Sequence, residues 1–131
     1  MIPLIVRDEL DHAQTPRAVR AWIQSPPAWL ELHPPLDSFV DDSLSNLDEG
    51  ERAALALAAS LGADLLLLDD RHGVRVARGK GFRVIGTLRV LQLAAHRGLL
   101  DLADAFERIK GTNFRYRQQL MDELLNEDAQ R

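Results

Sequence analysis

Four consecutive leucines, Leu65 to Leu68, run directly into Asp69 and Asp70. A short unbroken apolar run reads as a strand buried on both faces of a parallel sheet. Phe82 to Ile85 reads as a second buried strand, and Trp29 to His33 as a third, stopped by Pro34 and Pro35. Between these runs the apolar spacing changes to the helical period. Asp48 stands three residues before Glu51, the spacing of a capping box. It opens a helix with Ala54, Leu55, Ala58 and Leu61 on one face, closed by Gly62. Residues 71–79 form the next helix. Gly86 and Thr87 open one that runs to Arg97 and ends at Gly98. Asp101 caps a helix to Lys110, ended by Gly111, and Tyr116 to Asn126 is the last, with Glu127 to Arg131 frayed.

The N-terminal third is less regular. Pro3 followed by Leu4, Ile5, Val6 and Leu10 predicts a helix over residues 3–12. Thr15 and Pro16 read as N-cap and first helical residue of a helix to Gln24, with Val19, Trp22 and Ile23 on its apolar side, broken by Ser25-Pro26-Pro27. Asp37 to Leu47 is polar and reads as loop. Strands alternating with helices predict one α/β domain over residues 1–131, with a short parallel sheet.

Composition narrows the class. A chain of 131 residues, 46% apolar and 27% charged, suits one domain with a single core. The lack of cysteine excludes disulfides, thiolate zinc sites and iron–sulfur centres. Arg7, Asp8 and Glu9 leave no room for a signal-peptide apolar region, and no apolar run approaches the ~20 residues of a membrane span, so a cytoplasmic protein with no membrane partner is expected. The net charge of −4 argues against a general polyanion binder, but the charge is uneven. Acidic residues crowd between Asp37 and Glu51, and Arg71, Arg75, Arg78, Lys80 and Arg83 follow soon after.

The chemistry gathers where strands should end. In open α/β sheets ligands bind outside the carboxyl ends of the strands, where Asp69 and Asp70 are expected. Adjacent like charges there repel, and a hard cation such as Mg²⁺ or Mn²⁺ relieves them. The plainer reading is an Asp-Asp turn capping the next helix. Glu51 can simply complete its capping box, yet its helix leads into strand 65–68, which puts its start near Asp69. Glu9 falls at the boundary of its helix's buried face. Arg71, Arg75 and Arg78 share a ridge at i, i+4 and i+7, suited to phosphates or to plain solvation. His12, His33, His72 and His96 show no metal-binding spacing, and Trp22 and Trp29 read as core anchors. No P-loop, dinucleotide fingerprint or nucleophile motif is present.

Three segments in order carry a family resemblance: Leu47-Asp48-Glu49-Gly50-Glu51-Arg52-Ala53-Ala54-Leu55, Ala63-Asp64-Leu65 to Asp70-Arg71-His72-Gly73, and Val84-Ile85-Gly86-Thr87-Leu88 running on to Gly98-Leu99-Leu100. Together, over residues 2 to 126, they resemble the PIN-domain superfamily, in a small prokaryotic branch close to VapC-like toxins. The resemblance implies a three-layer α/β fold with a parallel sheet flanked by helices. It implies an Mg²⁺- or Mn²⁺-dependent ribonuclease hydrolysing RNA phosphodiesters, with Glu9, Glu51 and Asp69 as catalytic metal ligands and Asp70 as an auxiliary one. RNA would lie on Arg71, Arg75 and Arg78, and an antitoxin protein would be the partner. Relatives carry a further strand ending in aspartate, then a helix, before the segment equivalent to Ile2-Pro3. The first strand and helix of the family have no counterpart here, so weak or absent cleavage is expected. A homodimer is expected to cover the apolar surface left by that strand. Val74, Arg89 and Ala95 also depart from the family's usual Arg, Gly and Lys. The alternatives are a non-catalytic nucleic-acid-binding or interaction module, pairing with itself or an antitoxin, and a receiver-like phospho-acceptor domain. The latter would need a lysine after Phe82-Ile85, where Gly86-Thr87 stands.

Overall fold

The computed structural model describes residues 1–34 and 46–131. The expected loop 37–47 falls largely outside the described residues. The chain divides into two compact units, Met1–Val84 and Ile85–Arg131.

The first unit opens with β1 (Ile2–Pro3), then α1 (Leu4–Leu10) and α2 (Arg17–Gln24). The helix expected from residue 3 therefore starts one residue later, behind an unexpected strand. Pro3 serves as the N-cap in extended conformation, φ −66° and ψ 151°. Its locked φ suits a strand end as well as a helix start, so proline alone cannot separate the two. Thr15 does not cap α2. Its hydroxyl donates to the Glu9 carbonyl at 3.0 Å, which ties the α1–α2 turn to the end of α1. β2 (Leu32–His33) pairs in parallel with β1, Ile2 opposite Leu32 and Pro3 opposite His33.

The capping box at the head of α3 (Glu49–Leu61) forms as the spacing predicts. The Asp48 side chain accepts from the Glu51 N–H at 2.9 Å, and the Glu51 carboxylate accepts from the Asp48 N–H at 3.3 Å. Gly62 closes the helix at φ 61°, a left-handed position that other residues rarely adopt. β3 (Leu66–Leu67) follows, then α4 (Arg71–Gly79) and β4 (Val84–Ile85). Asp70 caps α4, accepting from the Gly73 N–H at 2.9 Å, so the plainer reading of the Asp-Asp pair holds for that residue. Gly73 lets α4 approach closely: a Cβ there would meet Leu68 Cδ2 at 3.0 Å.

Among the described residues the strands form two two-stranded sheets, β1–β2 and β3–β4, in place of one three-stranded sheet. The core of this unit is Leu47, Leu55, Ala58, Leu66 and Ala77, with Leu68, Val76, Phe82 and Val84 packed on it. Small residues on α3 and α4 let both helices close on β3. Trp22 and Trp29 are not core anchors. They are 44% and 73% exposed and lean on each other, ring centroids 6.4 Å apart. α2 turns Ile23 inward and leaves Trp22, one residue earlier, on the outside.

The second unit is helical: α5 (Thr87–His96), α6 (Leu102–Lys110) and α7 (Gln118–Ala129). Leu88, Leu102, Phe106, Met121 and Leu124 form its core. Asp101 caps α6, accepting from the Asp104 N–H at 2.8 Å. Gly98 takes φ 73°, as a helix-ending glycine should, but Gly111 stays in the right-handed region at φ −76°. α7 runs past the expected end at Asn126, and Glu127 is held in place. Its carboxylate accepts from Arg89 Nη1 and from Gln92 Nε2, each at 3.0 Å. Gln92 is buried to 1% exposure and satisfied on both ends, by Arg89 at 2.6 Å and by the Leu124 carbonyl at 3.2 Å. Among the described residues no helix is long and apolar enough to cross a membrane.

Candidate functional site

Two distant segments bring carboxylates together at the head of α3. α1 presents Glu9, and its carboxylate lies directly over Gly50 in the first turn of α3. A Cβ on Gly50 would meet Glu9 Oε1 at 2.6 Å and Oε2 at 3.0 Å. Only glycine leaves room for this contact. Glycine is among the poorest residues in a helix, so its presence in a first turn calls for such a reason. Asp48, Glu49 and Glu51 surround the same point along the chain.

The electrostatics follow from this crowding. Burial of the Glu9 carboxyl against α3 raises its pKa, and the charges of Asp48 and Glu49 raise it further. Glu9 as a residue is exposed, so the effect belongs to the carboxylate's contact rather than to burial of the whole side chain. Glu51 is also raised, first by burial and next by the Asp48 charge. The Asp48 backbone N–H opposes this, the Asp70 charge adds to it, and His72 opposes it again. Asp70 and His72 therefore stand within electrostatic reach of Glu51. That links the start of α4 to the start of α3, as expected from the order of strand and helix.

Glu9, Asp48 and Glu51 also rim a cavity of about 570 Å³. The rest of its lining is mostly apolar: Ile2, Pro3 and Val6, Leu65 to Leu68, and Ala54, Leu57, Ala58 and Leu61 of α3. A cavity of this size lies within the roughly 300–1,000 Å³ common for ligand sites.

Of the candidate residues, Glu9 and Glu51 thus lie at the head of α3, and Asp70, which caps α4, stands within electrostatic reach of Glu51. Asp69 is exposed and lies two residues past the end of β3. No three His, Asp or Glu side chains among the described residues are grouped closely enough to hold a metal ion together. The donor chemistry nevertheless suits a hard cation: carboxylate oxygens, with the Asp48 charge raising the pKa of both Glu9 and Glu51. Arg71, Arg75 and Arg78 are all exposed along α4, which begins at Asp70. The roles of Asp48 and Gly50 were not legible as site features. The usable signal was a glycine inside an acidic first turn.

An α/β chain with strands feeding helices, and carboxylates collected at the start of α3, has the arrangement of a nuclease-like fold. A family model described as a PIN domain matches residues 1–130, and the chain belongs to that family. No curated protein matches the chain, and no solved structure does.

Proposed function

We propose that this protein is a metal-dependent ribonuclease of the PIN type, with Glu9 and Glu51 as the anchoring ligands of an Mg²⁺ or Mn²⁺ ion. Asp69 is the third catalytic carboxylate and Asp70 assists through solvent. The observation that carries this reading is the seat of Glu9 on Gly50, which sets a carboxylate from α1 over the first turn of α3 at the cost of repulsion from Asp48 and Glu49. A protein holds such charges together where a ligand of opposite sign relieves them.

A bound divalent ion supplies a water of lowered pKa and balances charge on the scissile phosphate. Glu9 and Glu51 orient that site, and the exposed Arg71, Arg75 and Arg78 receive the RNA backbone as phosphate contacts.

The test is Mn²⁺ titration by calorimetry on the wild type, Glu51→Gln and Asp69→Asn, paired with cleavage of a labelled single-stranded RNA. Saturable Mn²⁺ binding lost in Glu51→Gln supports the site. Mn²⁺ binding equal in all three proteins refutes it.

A further inference from the structure

The helical unit, Ile85–Arg131, carries a cationic surface of its own. Its source is the stretch from Arg108 to Gln119, which holds Arg108, Lys110, Arg115 and Arg117 and no acidic residue. The whole chain has a net charge of −4, so four cations in twelve residues are concentrated against the general charge. Lys110 is paired with Glu107 at 3.0 Å. Among the described residues no carboxylate forms an ion pair with Arg108, Arg115 or Arg117.

The loop between α6 and α7 holds these cations on a prepared surface. The Thr112 hydroxyl donates to the Ile109 carbonyl at 2.7 Å and accepts from the Phe114 N–H at 3.1 Å, which folds the start of the loop onto the end of α6. Phe114 and Leu120 pack against the core of Leu88, Leu102, Phe106, Met121 and Leu124. Between these two anchors every residue from Arg115 to Gln119 is exposed. Tyr116 is among them at 40% exposure, outside the apolar cluster that takes Phe114 two residues earlier. A loop tied down on both sides loses little further freedom when a ligand arrives.

An aromatic ring between two unpaired arginines matches the chemistry of an unpaired polynucleotide strand. Guanidinium groups bind phosphates in a fork, and any base has a face that stacks on a ring. A duplex keeps its bases stacked within the helix, out of reach of such a ring. An acidic peptide would use the arginines and leave the tyrosine idle. We propose that Arg108, Arg115, Tyr116 and Arg117 form a contact surface for single-stranded RNA, with Tyr116 stacking on a base and the arginines holding phosphates. The inference rests on the reading of RNA as the substrate, but it needs neither the metal ion nor Glu9 and Glu51.

The experiment uses the intact chain with a chelator, so that binding is read without divalent ions. Fluorescence anisotropy follows a labelled oligouridylate of about ten nucleotides. Tyr116→Leu should bind it about fivefold or more weakly, while Tyr116→Phe, which keeps the ring, should stay within about twofold of the wild type. Tyr116→Leu should leave binding of a duplex of the same length unchanged. Arg115→Ala with Arg117→Ala should weaken binding and reduce the slope of log affinity against log salt by about 1.4, the share of two phosphate contacts on a single strand. Arg97→Ala removes an exposed arginine from the turn before α6, at the other end of that helix, and should bind as the wild type does. All these side chains are exposed, so the helices should persist, as circular dichroism checks. Wild-type affinity in Tyr116→Leu overturns the surface, and so does a loss in Arg97→Ala equal to that of the double arginine variant. An oligoglutamate peptide that binds as tightly as the oligouridylate and weakens in the same variants overturns the choice of ligand. If the wild type binds and cleaves RNA while the variants bind equally well, the surface falls and the substrate reading stands. If the wild type neither binds nor cleaves RNA, both fall.

Discussion

Gly50→Ala separates the two demands placed on the head of α3. The new methyl group would stand 2.6 Å from Glu9 Oε1 and 3.1 Å from Glu9 Cδ. Backbone atoms are not among these nearest contacts, so the helix need not move. The carboxylate sits at the end of a flexible side chain and can swing away. Alanine is a better helix former than glycine by roughly 1 kcal/mol in a helix interior, and by less in a first turn. Moving Glu9 away from Asp48 and Glu49 also relieves repulsion. Stability of Gly50→Ala should therefore equal or exceed that of the wild type by up to about 1 kcal/mol, read from urea denaturation. Ion binding should move the other way. With Glu9 displaced, one of two anchoring carboxylates leaves the site, and Mn²⁺ affinity should fall roughly tenfold or more in calorimetry. Glu9→Ala should show the same loss, and the double variant no further loss, because both changes remove one contact. A Gly50→Ala protein that is stable and binds Mn²⁺ as the wild type does would refute the role given to this seat. So would additive losses in the double variant.

Other outcomes follow from the same structure. The pKa of Glu9 is raised in the folded state, so folding takes up protons there and stability falls as pH rises through that raised value. Glu9→Gln should stabilise the metal-free protein near pH 7, with the gain vanishing as pH drops below the ordinary glutamate range; an unchanged pH–stability curve would contradict this. Glu127 has the opposite sign, its pKa lowered first by the Gln92 hydrogen bond and then by Arg89. Its contribution is present above the unfolded glutamate pKa and lost as pH falls through the lowered value, so Glu127→Gln should flatten the acid limb of thermal stability. Asp70→Ala removes the cap of α4 and should cost about 1 kcal/mol in denaturant midpoint, while leaving cores intact by near-ultraviolet dichroism. Phe106→Ala, at a residue 1% exposed in the helical unit, should cost about 3–5 kcal/mol.

The parts of the fold that showed in the sequence are those governed by local chemistry. The capping box at Asp48 and Glu51, the left-handed Gly62 and the caps at Asp70 and Asp101 depend on a few neighbouring residues, and each forms where its spacing indicates. What did not show depends on distant contacts. Pro3 fits a helix start and a strand end equally well, and only the pairing of Ile2 with Leu32 decides between them. Trp22 looked like a core residue by type, but α2 buries Ile23 beside it and needs no more. Tail residues 127–131 looked frayed by position. The Arg89–Gln92–Glu127 network, bridging more than thirty residues of sequence, holds the start of that tail helical.

The same distinction explains the candidate site. Glu51 was legible because its position in the capping box is local. Glu9 was placed only by resemblance, since nothing within α1 says what its carboxylate meets. The structure supplies that reason in Gly50, forty-one residues further along the chain, where a missing side chain makes room for a charged one. A helix start satisfied by Asp48 and Glu51 already has its capping donors filled. A further carboxylate packed there adds repulsion without a helical need for it. Stability alone would favour alanine at position 50 and an uncharged residue at position 9. That the chain has neither is the physical argument for a cationic ligand, a divalent ion, at the head of α3.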